Sequence, residues 1–271
     1  MMYKQNLHTH STFCDGKDTP EELVEEALKR GFDSLGFSIH SYVPASALGI
    51  VTPEKIEAYK KEIGRIKEIY GDRIKIFMGI EQDFLSQVQA AGYDYTLAAV
   101  HYLNTPFGPK SFDISLEGTV KYINDFFDGD AMKFAKEYYS MLSSASDYGS
   151  FDIIAHFDIL TKNNELGAFL DTSSKEYLSY ALGAADALKG KIPFFEVNTG
   201  AIWRGYRKTP YPQLEILKHL RELGFGATVS SDCHNKAFLD YYFDEARELL
   251  LAAGFKTKIV LGEKGFEEVK L

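Results

Sequence analysis

The sequence predicts an α/β fold in which parallel strands, each followed by a helix, close into a barrel. Apolar segments of strand length alternate with segments of helical pattern seven times along the 271 residues. Segments such as 95–100 are almost wholly apolar, as expected of strands that are covered on both faces. Six of the seven histidines stand at the ends of such segments, where barrel enzymes carry their chemistry. An open doubly wound sheet is the alternative, but it would spread these side chains along a line.

The first half of the chain begins with a strand and continues with capped helices. A Thr-Pro pair precedes each of the first two helices, which is typical of an N-cap followed by a proline in the first turn. The predicted strands are 3–7, 35–39, 74–80 and 95–100, and the predicted helices are 21–30 and 54–70. A loop through Pro44 and Gly49 joins the second strand to the second helix, and residues 102–118 are predicted to form a long loop.

The second half repeats the alternation of strands and helices. It ends in a helix and a short strand whose position in the fold the sequence does not predict. Its predicted strands are 151–155, 194–197 and 226–231, with a short one at 256–261. Its predicted helices are 116–148, 173–188, 214–223 and 239–253. The chain contains no repeat, low-complexity tract or linker rich in proline and glycine, so we expect one domain over residues 1–271.

Composition limits the partners and the compartment. A net charge of −9 disfavours binding of a nucleic acid over a wide surface, although a small anion in a local pocket remains compatible. No secretory signal or membrane-length apolar run is present, and there are two cysteines, Cys14 and Cys233. We therefore expect a cytoplasmic protein without a membrane partner. A disulfide or a thiolate ligand is the weaker interpretation, since Cys233 should point away from the side shared by Asp232 and His234.

Histidines and carboxylates at the strand ends predict a metal centre. His8 and His10 are two residues apart after a strand, so both imidazoles can face one ion, although this pair alone also fits two ordinary polar histidines. The other candidate ligands are Asp15, His40, Glu81, His101, His156, Asp232 and His234. Nitrogen and oxygen donors without thiolates suit a catalytic zinc, manganese or iron ion. Eight or nine ligands exceed the needs of one ion, so we expect two to three ions that activate water and clamp a phosphoryl group.

These motifs resemble those of the polymerase-and-histidinol-phosphatase (PHP) superfamily, over nearly the whole chain and in the same order. The stretch from Glu196 to Gly200 and the arginine-bearing loop after it are most similar to its histidinol-phosphate phosphatase branch. The resemblance implies a distorted (β/α)7 barrel with the metal site at the C-terminal ends of the strands. It implies three ions, held by His8, His10, Glu81 and Asp232; by Glu81, His101 and His156; and by Asp15, His40 and His234.

Two positions depart from the pattern of the superfamily. Some relatives have a histidine near the position of Asp15, which leaves the metal preference of the third site open. Many relatives place an acid before the histidine of the second strand, whereas Ile39 precedes His40 here. This difference affects the surroundings that adjust the basicity and orientation of His40 more than the ability of His40 to bind a metal.

The segment after the sixth strand should overhang the same end of the barrel. Arg204 and Arg207 are the candidate phosphate ligands, since a guanidinium fits phosphate oxygens, and Lys162 is a weaker third. A solvated basic loop is the alternative. Trp203 could face an imidazole ring, as could four other aromatic residues, although loop packing is the simpler role for each of the five singly. The other four are Tyr42, Tyr102, Phe112 and Tyr206.

The leading hypothesis is a metal-dependent phosphomonoesterase, with Asp232 or His234 assisting the leaving group. By resemblance, the substrate is L-histidinol phosphate and the pathway is histidine biosynthesis. The alternatives are a phosphoesterase acting on another small ester or on nucleic acid, an amidohydrolase-like enzyme, and an inactive module that binds a partner. Glu81 occupies the place of the bridging modified lysine of many amidohydrolases, and no ligand is missing, as it commonly would be in an inactive module. The sequence does not predict an oligomeric state.

Overall fold

The computed structural model describes residues 3–44, 51–86 and 90–271. The first half of the chain forms strands and helices close to the predicted ones, each helix starting at the proline that follows its threonine cap. In chain order these are β1 (Gln5–Asn6), α1 (Pro20–Lys29), β2 (Ser34–His40), α2 (Pro53–Tyr70), β3 (Lys75–Asp83), β4 (Tyr95–Ala99), β5 (Tyr102–Thr105) and β6 (Gly108–Ser111). Part of the loop predicted through Pro44 and Gly49 lies outside the described residues.

The second half continues the alternation and ends in a two-stranded hairpin. Its elements are α3 (Leu116–Phe127), α4 (Ala131–Ser143), β7 (Ile153–Ile154), α5 (Lys175–Leu188), β8 (Phe194–Asn198), α6 (Gly200–Trp203), α7 (Leu214–Leu223), β9 (Gly226–Ser230), α8 (Phe243–Ala252), β10 (Thr257–Gly262) and β11 (Gly265–Lys270). Within the described ranges, no helix combines the length and apolarity that crossing a membrane requires.

Seven strands form one parallel sheet in the order β1-β2-β3-β4-β7-β8-β9. Just beyond β1 and β9 the two edges of this sheet meet. The backbone N–H of Cys233 donates to the carbonyl of His8 at 3.0 Å, and the N–H of His10 donates to the carbonyl of Cys233 at 2.8 Å. Thr9 and Cys233 are therefore parallel neighbours, and the sheet is a nearly closed barrel. This confirms the predicted fold class and excludes the open sheet.

The interior of the barrel is filled at the end opposite the histidines. Alternate residues of the strands form a separate apolar cluster there, in which Tyr95 is fully enclosed. The Tyr95 hydroxyl donates to the carbonyls of Leu7 at 2.5 Å and Phe37 at 2.9 Å, and its ring lies where a side chain on Gly79 would project. Leu261 of β10 closes this end by exchanging hydrogen bonds with the side chain of Gln5. The described residues thus close the N-terminal end of the barrel, and the histidines lie at its C-terminal end.

Three predictions about local structure are wrong. Residues 102–118 are not one long loop, since β5 and β6 pair as an antiparallel hairpin. The helix predicted over 116–148 is two helices, because Asp128 and Gly129 adopt left-handed φ angles of 56° and 76° and Asp130 caps α4. The tail helix begins at Phe243, and β11 pairs with β10 where no second strand was predicted. The assignment of residues 1–271 to one domain stays a prediction.

Candidate metal centre

The barrel brings the predicted ligands to one end of the sheet. His8 and His10 follow β1, and His40 is the last residue of β2. The strand register pairs His40 with Glu81, which lies near the C-terminal end of β3. The remaining ligands directly follow strands or lie on the loop before α1; these are His101 after β4, His156 after β7, Asp232 and His234 after β9, and Asp15.

The ligand atoms form three overlapping groups in which all donors lie within 4.8 Å of one another. These groups are His8, Glu81 and His156; His8, His10 and Asp232; and His10, Asp15, His40 and His234. His101 adjoins the first group, with Nε2 3.2 Å from Oε1 of Glu81. The grouping differs from the one that the resemblance implies, because His8 belongs to two groups and His10 also stands with the Asp15 group.

Glu81 lies between two sets of histidines and turns one oxygen to each. Its Oε1 is 2.8 Å from Nε2 of His156 and 3.2 Å from Nε2 of His101. Its Oε2 is 2.8 Å from Nδ1 of His40 and 3.3 Å from Nε2 of His8. The carboxylate is buried, so it has the position that a ligand shared between two ions requires.

Burial and mutual charge determine the protonation of the cluster. Burial alone raises the pKa of Glu81, but the imidazoles of His8 and His40 outweigh it and hold this pKa well below its usual range. Burial, together with the neighbouring His234 and His40, lowers the pKa of His10 to about 3. Glu81 is therefore a carboxylate and His10 a neutral imidazole. The carboxylates of the cluster instead raise the pKa of His8 and His40 well above its usual range, so a cation that binds these two imidazoles would displace their protons.

Glu196 is a buried residue for which the sequence analysis predicted no role. Both of its carboxylate oxygens lie 3.0 Å from Nδ1 of His8, and it accepts the backbone N–H of His156 at 2.8 Å. Ser230 Oγ at 2.5 Å and Asn198 Nδ2 at 2.7 Å donate to the same carboxylate. A carboxylate on the outer nitrogen of a histidine keeps the proton there and frees the inner nitrogen for a metal. An acid in the middle of the apolar β8 segment was the signal that could have revealed it.

Two further side chains support the cluster from outside. Asp83 Oδ2 accepts the backbone N–H of His101 at 2.8 Å and lies 3.5 Å from its Nδ1. The Cys14 sulfur lies 3.3 Å from Nδ1 of His10. Cys233 instead turns its sulfur to the carbonyl of Asn235 at 3.1 Å, away from the cluster. Both cysteines are free.

The cluster forms the floor of a cavity of about 400 Å³. Arg204 reaches into it from the end of α6, with Nη2 2.6 Å from Nδ1 of His234 and 3.3 Å from Oδ1 of Asp232. Lys162 also lines the cavity, with its ammonium 2.7 Å from the carboxylate of Asp113 and 4.9 Å from the ring centroid of Tyr206. The other lining residues outside the ligand set include Lys17, Tyr102, Trp203 and Tyr206.

The structure does not bring Arg207 to this cavity, which corrects the expectation that it grips the phosphate beside Arg204. Its guanidinium lies over the ring of Tyr211, 4.5 Å from the centroid, and donates to the hydroxyl of Thr161 and the carbonyl of Thr209. It lines a separate polar cavity of about 220 Å³ instead. The stacking on Tyr211 holds Arg207 away from the metal ligands.

Three other side chains also lie outside the metal cavity. Phe112 is buried in the apolar core, and Tyr42 is not among the lining residues. His219, expected to stand apart from the ligands, lies on α7 and pairs with Asp186 at 2.9 Å.

The PHP domain family model matches residues 6–200 of the chain. The chain belongs to the PHP family. Among the relatives of this PHP protein, the histidinol-phosphatase of Lactococcus lactis subsp. lactis (strain IL1403) is 26% identical over 271 residues, covering 94% of this chain and 93% of the relative. The histidinol-phosphatase of Bacillus subtilis (strain 168) is 24% identical over 267 residues, covering 90% of this chain and 98% of the relative.

A solved structure shares the fold of this PHP barrel. It is the histidinol phosphate phosphatase of Lactococcus lactis subsp. lactis Il1403 in complex with zinc, L-histidinol and phosphate. The TM-score is 0.73 at 19% sequence identity, over 98% of this chain and all of that one.

The residues present in this PHP chain fit a group of metal ions. The donors are imidazole nitrogens and carboxylate oxygens, the ligands that zinc, manganese and iron accept. Oε2 of Glu81 is buried and makes no conventional hydrogen bond within the described part of the chain. A cation would satisfy such an atom, so these clusters are able to hold metals.

Proposed function

We propose that this chain is a metal-dependent phosphomonoesterase that hydrolyses L-histidinol phosphate to L-histidinol and phosphate, a step of histidine biosynthesis in the cytoplasm. The observation that carries the proposal is that one cavity unites the Glu81-centred histidine cluster, the guanidinium of Arg204 and a partly aromatic rim. The names of the relatives support the same reaction.

Two to three divalent transition-metal ions, zinc, manganese or iron, belong to this proposal. The three ligand sets are those that the superfamily resemblance implies: His8, His10, Glu81 and Asp232; Glu81, His101 and His156; Asp15, His40 and His234. When bound, such ions supply an activated water and neutralise charge on the phosphoryl oxygens.

Residues of the chain prepare the site for a phosphate dianion. Arg204 is held by Asp232 and His234 at the edge of the cluster, and from there its guanidinium can donate hydrogen bonds to two phosphate oxygens. Glu196 and Asp83 fix the orientation of His8 and His101. The leaving alkoxide of histidinol needs a proton, and Asp232 or His234 is the proposed assistant. Burial raises the pKa of Asp232, but Arg204 and His8 outweigh it and hold this pKa well below its usual range, so this carboxylate has no proton of its own and would relay one from a water molecule.

Asp113 and Trp203 suit the histidinol half of the substrate. Burial raises the pKa of Asp113, but the ammonium of Lys162 outweighs it, so the pKa lies below its ordinary value and Asp113 is ionised. An ionised carboxylate can bind the ammonium of histidinol by exchange with Lys162. The indole of Trp203 stacks on Phe238 at 4.7 Å, and the guanidinium of Arg204 lies over its ring at 5.1 Å. An imidazole at the rim would therefore contact the part of the indole that Phe238 and Arg204 leave uncovered.

Steady-state kinetics on three substrates test the proposal. We expect kcat/KM for L-histidinol phosphate to exceed that for a simple alkyl phosphate by orders of magnitude, and single-stranded DNA to remain intact. Chelation should abolish hydrolysis, and zinc, manganese or iron added singly should restore it. Trp203→Ala should reduce the preference for histidinol phosphate over the alkyl ester. Equal efficiency on both esters would refute the substrate while leaving the phosphatase.

A further inference from the structure

His156 differs from the other histidines of the cluster in its outer ring nitrogen. Its Nε2 faces Oε1 of Glu81 at 2.8 Å, but its Nδ1 is buried and has no hydrogen-bond partner within residues 3–44, 51–86 and 90–271. In the other five, both ring nitrogens lie within 4 Å of a polar or sulfur atom; these are His8, His10, His40, His101 and His234. Among these six histidines, His156 is therefore the one whose outer ring nitrogen has no hydrogen-bond partner in the described residues.

The missing partner matters because of the tautomer that coordination requires. To bind a cation through Nε2, the imidazole of His156 must carry its proton on Nδ1, which is then a hydrogen-bond donor. A buried donor left without an acceptor costs about 1–3 kcal/mol. Histidine ligands of metals therefore almost always donate this second N–H to a carboxylate, a carbonyl or a water.

Two more partnerless polar atoms lie beside His156. Oδ1 of Asp158, two residues along the chain, and the hydroxyl of Tyr211 are both buried without a hydrogen bond. The rings of His156 and Tyr211 are 6.5 Å apart, and the charge of Asp158 acts on the pKa of Tyr211 while His156 acts on that of Asp158. Three of the eight such orphaned atoms in the described residues thus belong to neighbouring side chains.

The side chains around this place are held firmly. The other oxygen of Asp158, Oδ2, accepts the backbone N–H of Gln213 at 3.2 Å. Tyr211 exchanges two backbone hydrogen bonds with Asn198 of β8, at 2.9 and 3.0 Å, and its ring lies under the guanidinium of Arg207. Oδ1 of Asp158 and the hydroxyl of Tyr211 take no part in these contacts and remain available to a further hydrogen-bond partner.

A single water molecule can satisfy all three atoms. It accepts the Nδ1–H of His156, donates to Oδ1 of Asp158, and keeps one further hydrogen bond for the hydroxyl of Tyr211. Buried waters typically make about three such bonds to otherwise unsatisfied groups. Both Asp158 and Tyr211 are almost fully enclosed, which makes direct hydration from the surface impossible.

We propose that Asp158 is a positioning residue for His156 and acts through one buried water that also bonds Tyr211. The proposal rests on the proposed function, because it takes His156 as a metal ligand. In this role Asp158 corresponds to Glu196, which orients His8, and to Asp83, which orients His101. Asp158 then fixes the tautomer and ring orientation of His156 without touching metal or substrate.

Metal binding tests the proposal without a substrate. In chelator competition, Asp158→Ala should bind one ion per chain about 10–100-fold more weakly than the parent, with the other ions little affected. Asp158→Asn should stay near the parent, because its amide can still accept from Gln213 and bond the water. Tyr211→Phe should show a smaller loss. Tyr122→Phe is the matched control, since it removes another buried, partnerless hydroxyl far from the cluster and should change nothing.

A high-resolution crystal structure of the metal-loaded protein should contain a water within hydrogen-bond distance of the three atoms. Its absence, or equal metal affinity in Asp158→Ala and the parent, would overturn the inference. Equal losses in Asp158→Ala and Asp158→Asn would also overturn it, because asparagine keeps the volume and the hydrogen-bonding capacity of Asp158, and the loss would then come from the missing negative charge. A parent that binds metals but spares histidinol phosphate would refute the proposed substrate and leave the role of Asp158 intact.

Discussion

Glu81 and His156 face each other inside the barrel, with Oε1 of the carboxylate 2.8 Å from Nε2 of the imidazole. The second oxygen of Glu81 has a histidine at the same distance on the other side, Nδ1 of His40. One carboxylate thus joins two histidine sets that come from different strands. If ions occupy both sets, Glu81 is the ligand that couples them electrostatically.

We expect Glu81→Gln to damage the enzyme more than the loss of any single histidine. The amide keeps the volume but removes the negative charge that two ions would share and offers only one ligand oxygen. Turnover should fall by orders of magnitude and at least one ion should be lost, with the fold retained. Elemental analysis, circular dichroism and kcat on L-histidinol phosphate measure this.

The matched comparison for Glu81→Gln uses two histidine variants. His101→Ala removes one ligand of one set and should retain more activity than Glu81→Gln. His219→Gln changes a histidine on α7 that pairs with Asp186 and should leave metal content unchanged. Near-normal metal content and turnover in Glu81→Gln would show that Glu81 is not a shared ligand.

Glu196→Gln should weaken metal binding although Glu196 lies outside the predicted ligand sets. An amide cannot hold the proton of His8 on Nδ1 as the carboxylate does at 3.0 Å from both oxygens. We expect metal affinity to fall by about 10–100-fold in chelator competition. Asp186→Asn is the control, because it alters a carboxylate–histidine pair on the surface. Unchanged affinity in Glu196→Gln would assign Glu196 a purely structural role.

The sequence was sufficient to predict which residues gather at the end of the barrel. His40, His101 and His156 end or follow apolar strands, and parallel strands present their ends at one edge, so their convergence needed only the fold class. The same reasoning could not predict the role of Glu196. Its role depends on a side-chain contact with His8, which follows β1, and a contact between residues of two strands that are not neighbours is not visible from spacing alone.

Local structure was less predictable where two signals competed. The apolar pattern of residues 116–148 is helical on both sides of Asp128-Gly129-Asp130, and the break signal of that tripeptide was outweighed by the pattern. Arg207 illustrates a different limit. Its loop lies beside the site as expected, but stacking on Tyr211 decides where the guanidinium points, and a side-chain contact of this kind has no periodicity in the sequence.

Arg204→Ala and Arg207→Ala form a matched pair, because both arginines lie on one loop and only Arg204 lines the metal cavity. A hydrogen bond to a charged group contributes about 1.5–3 kcal/mol, so Arg204→Ala should raise KM for every phosphate ester by about tenfold or more. Arg207→Ala should change KM much less and lower thermal stability through the lost contact with Tyr211. Equal increases in KM would restore Arg207 as a phosphate ligand.

Lys258 on β10 gives a prediction about stability that is independent of metals. Only 4% of this lysine is exposed, and burial lowers its pKa from 10.5 to about 8, a shift that Asp33 opposes. At pH 7 the lysine is charged in both the folded and the unfolded chain, so folding must bury the charge. The shift corresponds to up to about 3 kcal/mol of destabilisation, at about 1.36 kcal/mol per pKa unit.

The sign of the pH dependence follows from the lowered pKa. Between pH 8 and 10.5 the folded chain binds fewer protons than the unfolded chain at this site, so the penalty shrinks as pH rises and vanishes above 10.5. Lys258→Met should therefore stabilise the protein at pH 7 and much less at pH 10, measured as the difference in free energy of unfolding by urea. Lys256→Met, on an exposed neighbour, should show no such dependence. An equal gain at both pH values would mean that folding does not shift the pKa of Lys258, and that the methionine stabilises only by packing.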